Sequence, residues 1–324
     1  MKNEKGVALL SVLLLVAVLS ALAVAVLDDI RFDLRRSANA ESTGQAQWYA
    51  LGAESLARAR IARLSDANAN RTSLEGDWNG RWQDFPIENG GIHARVSDAT
   101  GCFNLNSVVQ GASEQWQRRD IGLRQFSALL RGIGFSQRDS ASLAETLADW
   151  IDSDNTRNTL GAEDDAYMGV VPSYRTSGTL LSEVSELRAV RGFTSSSYAR
   201  LRPFVCALPT AELSPININT LSPDNAVLLS ALTEGALPVE TARRVLAARP
   251  REGWASVDDF WQEPALANAV PSDAALNQVA VRTRYFRLHA EITYAGADAF
   301  LTTLFEQAGS GPARLAARRW GRDE

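Results

Sequence analysis

The sequence predicts an α+β fold in which one long N-terminal helix packs on an antiparallel sheet, with a large all-helical domain inserted between the strands. Three observations carry this reading. Residues 7–64 contain no proline and start with an apolar run. Alternating apolar and polar residues mark strands near 92–106 and again near 286–305, the period of a sheet with one buried face. The long stretch between them, 108–275, carries the three- and four-residue spacing of helices.

The helix comes first. Val7 to Leu27 is apolar except for Ser11 and Ser20, long enough to cross a hydrocarbon layer of about 30 Å. Lys2 and Lys5 precede it, while Asp28 and Asp29 follow, so the positive-inside rule puts the N-terminus in the cytoplasm and the rest outside. An ordinary secretory signal ends in a small-x-small cleavage site. Here the pattern continues as helix instead, with Ala46, Ala50, Ala53, Ala57, Ile61 and Leu64 forming a stripe beside Tyr49 and Leu56. Residues 7–64 would extend about 87 Å, and residues 28–64 would project from the membrane.

Residues 65–107 read as a connecting loop, with Trp78 and Trp82 the burial candidates, followed by strands. Ile92, Ala94 and Val96 alternate with His93, Arg95 and Ser97, and the turn at Asp98–Gly101 leads to Cys102–Asn106, which reads as a hairpin. In residues 276–306, Phe286, Leu288, Ala290, Ile292 and Tyr294 alternate with polar residues, and a further strand spans Phe300–Phe305. Four strands would then form one sheet, since a lone hairpin is marginal. Residues 307–324, with Gly309, Gly311, Pro312 and several arginines, read as a basic tail. Phe103-Asn104-Leu105-Asn106, just before the insertion, is echoed by Ile216-Asn217-Ile218-Asn219, each leading into leucine-rich helices, so two related subdomains are expected.

Lys5-Gly6 followed by Val7-Ala8-Leu9-Leu10 and a long helix resembles the type IV pilin class. The resemblance implies a leader of residues 1–6, cleavage between Gly6 and Val7 by prepilin peptidase, and methylation of the new N-terminus. Members of that class usually carry Glu at the fifth mature position, where this chain has Ser11. A carboxylate inside a bilayer is costly unless paired, so its absence fits a subunit with no neighbour above it. Together with the oversized soluble region, this resembles the K-type minor pseudopilins (GspK family) of type II secretion. The Asn-x-Asn segments, Leu147-Ala148-Asp149-Trp150-Ile151-Asp152 and Ser185–Gly192 match that family's pattern as well. The resemblance implies a pilin-like helix-on-sheet fold and a single-pass protein of the bacterial inner membrane. It implies a place at the tip of the pseudopilus, where the chain initiates or caps the fibre for export across the outer membrane. The implied partners are the I- and J-type minor pseudopilins, with the H type a further candidate, and the major pseudopilin below. They would be met through the helix bearing Ala46, Tyr49, Ala50, Ala53, Leu56 and Ala57.

Asp152, Asp154, Glu163, Asp164 and Asp165 place five carboxylates in a short segment balanced only by Arg157. Counted from Asp152, the ligand positions 1, 3, 5 and 12 of an EF-hand loop are Asp152, Asp154, Thr156 and Glu163, but Arg157 stands where the motif needs glycine. The spacing points to a hard, oxygen-liking cation, for which Ca²⁺ suits better than Mg²⁺, or to a solvated acidic loop. The resemblance implies structural calcium in this region. Cys102 and Cys206 are the two cysteines. Both fall in the outward-facing part, where oxidation to one disulfide is expected.

No catalytic constellation is visible, and the chain reads as non-enzymatic. His93 and His289 lie on polar strand faces with no nucleophile beside them, and phosphate-loop, zinc-spacing and nucleophile-elbow motifs are missing. Short helix pairs such as Val184–Val190 with Ser195–Leu201 resemble SAM-like or helix-hairpin-helix modules, which makes a membrane-anchored DNA receptor the alternative. Residues 108–275 hold 15 Arg, no Lys and 21 Asp plus Glu, the wrong balance for phosphate contacts. No nucleic-acid partner is expected.

Overall fold

The computed structural model describes residues 4–169, 171–269, 271–309 and 311–322; Met1–Asn3 of the expected leader lie outside them. Helix α1, Glu4–Ala67, is continuous over 64 residues, about 96 Å of rise. Its first part is apolar, long enough to cross a membrane, and packed on nothing in the chain. Its length and composition suit a single-pass membrane anchor.

The distal part of α1 is held by a seam of small side chains. Ala46, Ala50, Ala53, Ala57 and Ile61 are all buried, against Ile92, Ala94, Leu288, Ala290, Ile292 and Leu301 of the sheet. Alanine at three- and four-residue steps keeps this face on one side of the helix and lets backbone approach sheet closely. Tyr49 packs on Tyr294 with the rings tilted, centroids 5.5 Å apart.

Five strands form the sheet: β1 Gln83–Ile87, β2 Gly90–Asp98, β9 Tyr285–Tyr294, β10 Ala297–Glu306 and β11 Arg314–Trp320, in the order β1-β2-β9-β10-β11 and antiparallel throughout. The central pairing of β2 with β9, Ile92↔Ile292 and Val96↔Leu288, joins strands from opposite sides of the insertion. Each alternates as expected, with Ile92, Ala94 and Val96 buried under α1, and Arg95, Arg287 and His289 on the other face.

Three expectations are corrected. The sheet has five strands rather than four. The segment after the Asp98–Gly101 turn does not fold back on β2: Phe103–Asn104 (β3) pairs in parallel with Val205–Cys206 (β6). Residues 307–324 are no free tail, because Arg314–Trp320 adds to the edge of β10. The expected connecting loop ends in strand β1 at Gln83; before it Trp78 is buried as expected, its ring tilted on Phe286 and its indole N–H donating to the Ser73 carbonyl at 2.7 Å, while Trp82 is only half-buried on the far sheet face, stacked on His93.

The helical domain leaves the sheet after β2 and returns at β9. After β3 come the short pair β4 Val109–Gln110 and β5 Gln117–Arg118, then α2 Asp120–Gly132, α3 Gln137–Ile151, α4 Asp164–Met168 and α5 Ser195–Leu201. Beyond β6 follow β7 Ile216–Asn217, α6 Ala226–Leu232, α7 Val239–Ala247, α8 Val257–Trp261, α9 Asp273–Gln278 and β8 Val279–Ala280. The Asn-x-Asn echo is physical. The Asn106 amide donates to the Leu181 carbonyl and accepts from its N–H at 2.9 and 2.8 Å, and Asn219 does the same to Trp254 at 2.9 and 2.8 Å. Asn104 and Asn217 each accept from the N–H two residues on. Each buried amide thus stands in for a strand neighbour, and β7 pairs in parallel with β8 as β3 does with β6. The disulfide Cys102–Cys206 lies beside the β3–β6 pair.

One ion pair ties both ends of the chain together. Glu54, buried in the α1 seam, receives two hydrogen bonds from the Arg318 guanidinium of β11, both 2.8 Å, and one from Thr303 at 3.3 Å. Removing one partner of such a pair leaves a desolvated charge. Arg318→Ala is therefore expected to lower stability by about 2 kcal/mol, and Glu54→Gln to cost little more in that background. Denaturant unfolding of the four members of this double-mutant cycle checks it.

Candidate metal centre

Helix α3 is capped at its start by Ser136, whose hydroxyl accepts from Asp139 N–H at 3.1 Å. It buries Leu143, Ala144, Leu147, Ala148 and Ile151, and it ends at Asp152, whose N–H still bonds the Ala148 carbonyl. The 152–163 loop then leads into α4, with Glu163 as the residue before it. Packing of α3 and α4 against the domain core therefore fixes both ends of the acidic loop.

The structure brings three of the five predicted carboxylates together. Asp152, Asp154 and Glu163 each offer an oxygen within 4.8 Å of the others; Asp152 and Glu163 are buried and Asp154 is exposed. Oδ1 of Asp152 and both carboxylate oxygens of Glu163 are buried without a hydrogen-bond partner among the described residues. Asp164 is occupied elsewhere, accepting from the Thr176 N–H and hydroxyl at 3.0 Å each with Arg175 at 3.7 Å. Asp165 faces solvent. Thr156, the fifth EF-hand position, is exposed, and its N–H instead caps Asp154 at 2.7 Å. The loop thus shares an EF-hand's length and end carboxylates without its ligand geometry.

Asp149 is the residue that sequence reasoning left out. It lies one helical turn before Asp152 on the same side of α3, fully buried. Asn158 donates to it from its N–H at 3.2 Å and from its side-chain amide, which folds the loop back over the cluster. Gly161 makes this possible, since a Cβ there would stand 1.9 Å from Asp149 Oδ2.

The electrostatics follow. Burial, and then Asp154, Asp149 and Glu163, push Asp152 up to about 8. Burial, and then Asp149 and Asp154, push Glu163 up to about 7. Burial also raises Asp149. Without a counter-charge the pair prefers protons, so the folded state retains protons that the unfolded state has released at the same pH. The contribution of this cluster to stability then falls as pH rises from about 5 to about 8, opposite to the usual carboxylate behaviour. We expect the EDTA-treated protein to melt lower at pH 8 than at pH 5.5. Asp152→Asn should raise the melting temperature of the EDTA-treated protein at pH 8 by about 3 °C, equivalent to about 1 kcal/mol in a chain of this size. Calorimetric scans across pH check both.

The remaining predicted site residues divide by burial. Ala46, Ala50, Ala53 and Ala57 are covered by the chain's own sheet. This corrects their expected role as partner contacts, since the sheet occupies the face that they share. Tyr49 is half-buried and Leu56 is 57% exposed, as is Trp48 at 70%. Gly6 and Val7 lie within α1.

Comparison with known proteins agrees with this architecture. The two models of "Type II secretion system (T2SS), protein K" match residues 101–210 and 216–282, one for each Asn-x-Asn half of the helical domain. Type II secretion system protein K of Klebsiella pneumoniae is 38% identical over 264 residues, 82% of this chain and 81% of that protein. The Pectobacterium carotovorum subsp. carotovorum protein is 33% identical over 98% of this chain and 97% of its own length. A chain in the crystal structure of the GspK-GspI-GspJ complex from the enterotoxigenic Escherichia coli type 2 secretion system superposes with a TM-score of 0.77 at 30% identity, covering 89% of this chain and all of that one. By sequence over nearly its whole length and by fold, the chain belongs to the type II secretion system protein K family.

Proposed function

We propose that this protein is the tip subunit of the type II secretion pseudopilus, a minor pseudopilin that initiates and caps the fibre for export across the outer membrane. The observation that carries the reading is in the anchor. Ser11 stands at the fifth position after Gly6, and its hydroxyl donates to the Val7 carbonyl at 3.0 Å, within its own helix. No carboxylate lies between Val7 and Leu27. A subunit whose anchor has no acid to offer an N-terminal amine above it suits a position with no subunit above. The bulk of the helical domain, set on the sheet at the far end of α1, would obstruct further addition on that side.

On this reading α1 lies in the inner membrane with its N-terminus cytoplasmic. Prepilin peptidase cuts after Gly6, and the new amine of Val7 is methylated. The I- and J-type minor pseudopilins pack on the face of α1 that the sheet leaves open, where Trp48 and Leu56 present exposed apolar surface. The major pseudopilin follows below. The helix-hairpin-helix-like pairs fall inside the stretches matched by the protein K models, which accounts for them without DNA.

Calcium has a structural part in this proposal. Asp152, Asp154 and Glu163 would hold it, since two of the three bring buried oxygens lacking a hydrogen-bond partner, and Asp164 and Asp165 would not. A divalent cation replaces the protons that these groups otherwise retain. Calcium should then stabilise the protein more at pH 8 than at pH 5.5.

Trp48→Ala should weaken co-purification with the I- and J-type subunits by tenfold or more, about 1.4 kcal/mol, at unchanged melting temperature. Gold labelling of the helical domain on assembled fibres should mark one end of each fibre; label along the fibre sides would contradict the tip position.

A further inference from the structure

The face of the sheet turned away from α1 meets the helical domain across a cleft of about 460 Å³, a volume in the range of small-ligand sites. Its lining is unusually basic. Arg95 comes from β2, Arg287 and His289 from β9, Arg319 from β11, and Arg202 from the turn following α5. These residues are far apart in sequence, and the β2-β9-β10-β11 order brings them to one face.

Among the described residues, Arg95, Arg202 and Arg287 of this cleft have no carboxylate in ion-pair contact. Glu183 of the helical domain reaches across to Arg319 at 3.0 Å. Asp98, whose charge acts on Arg287, is already held by Thr100, Thr220 and Thr283, and burial raises its pKa. Arg95 lies over the Trp82 ring at 4.5 Å with its Nε buried and unbonded. Burial, and then Arg287, Arg95, Arg319 and Arg202, drive His289 down to about 4. The imidazole is therefore neutral, and the surrounding field is strongly positive.

Guanidinium groups drawn partly out of water with no carboxylate beside them among the described residues, as Arg95 and Arg287 are, carry a desolvation cost that an oxyanion would relieve. Their planar donor forks match carboxylates two bonds at a time. The cleft already accepts one carboxylate, Glu183, and has room for more. We propose that this cleft binds a ligand bearing two or more carboxylates, held by Arg95, Arg202 and Arg287 beside the Glu183–Arg319 pair. Such a ligand has two sources, a small polycarboxylate or an acidic segment of a partner polypeptide.

The test is calorimetric titration of the detergent-solubilised full chain with citrate, with the peptide Asp-Glu-Asp, and with inorganic phosphate, at low salt. Arg202→Glu is the chief variant, because Arg202 is exposed at the mouth of the cleft; Arg287→Gln is the second. Saturable citrate binding, weakened tenfold or more by Arg202→Glu, supports the site, as does an upward move of the His289 NMR titration midpoint when citrate is saturating. Tighter binding of the peptide than of citrate also supports it and assigns the source to a polypeptide. Citrate binding equally to wild type and Arg202→Glu, or phosphate binding as tightly as citrate, overturns the proposal.

Discussion

The contact between the alanine face of α1 and strands β2, β9 and β10 is the constraint on which the rest of the molecule depends. It fixes a membrane helix to a soluble head through side chains so small that little can be lost or added without a void or a clash. The central strands of that sheet come from either side of the helical domain, so the seam forms only when β9 has found β2 across the whole insertion. Glu54 in the seam and Arg318 on the last strand add a polar lock, tying the final segment of the chain to its first helix. Helix α1 runs unbroken from its apolar first part into this seam.

The helical domain solves a different problem, namely ending its peptide backbone cleanly where it leaves and re-enters the sheet. It does so twice with one device. A buried asparagine takes the N–H and carbonyl of a distant residue, first Asn106 with Leu181 and then Asn219 with Trp254. The two family-model matches divide the domain between these same units. Ser140, Trp150 and Trp261 of this domain each leave one buried polar atom unpartnered, but the acidic loop concentrates three such carboxylate oxygens on Asp152 and Glu163. Buried polar groups in folded proteins nearly always have partners, and the cation proposed for this loop would supply them.

Much of this was legible in the sequence for physical reasons. Strands β2, β9 and β10 each have one face under the helix, so their side chains alternate strictly, and α1, α2 and α3 have periodic apolar faces. The edge strands were hidden. β1 carries Asp84 and Pro86, and β11 carries Arg314, Arg318 and Arg319, residues suited to sheet edges because they discourage further pairing and therefore easily read as loop or tail. The supposed hairpin failed because a turn signal says that the chain reverses without saying which strand it meets next. The acidic loop was visible as a run of charge, yet which three carboxylates converge depends on Gly161, Asp149 and Asn158, whose contacts no spacing reveals. The arginine cleft left no local trace at all, since only strand order assembles it.

The central claim, that α1 is a processed pseudopilin anchor rather than a plain membrane helix, is tested most directly by the mass of the N-terminal peptide of the membrane-extracted protein, from cells with and without prepilin peptidase. The account predicts a methylated N-terminus at Val7 that depends on the enzyme. An intact Met1 start in both strains would contradict it.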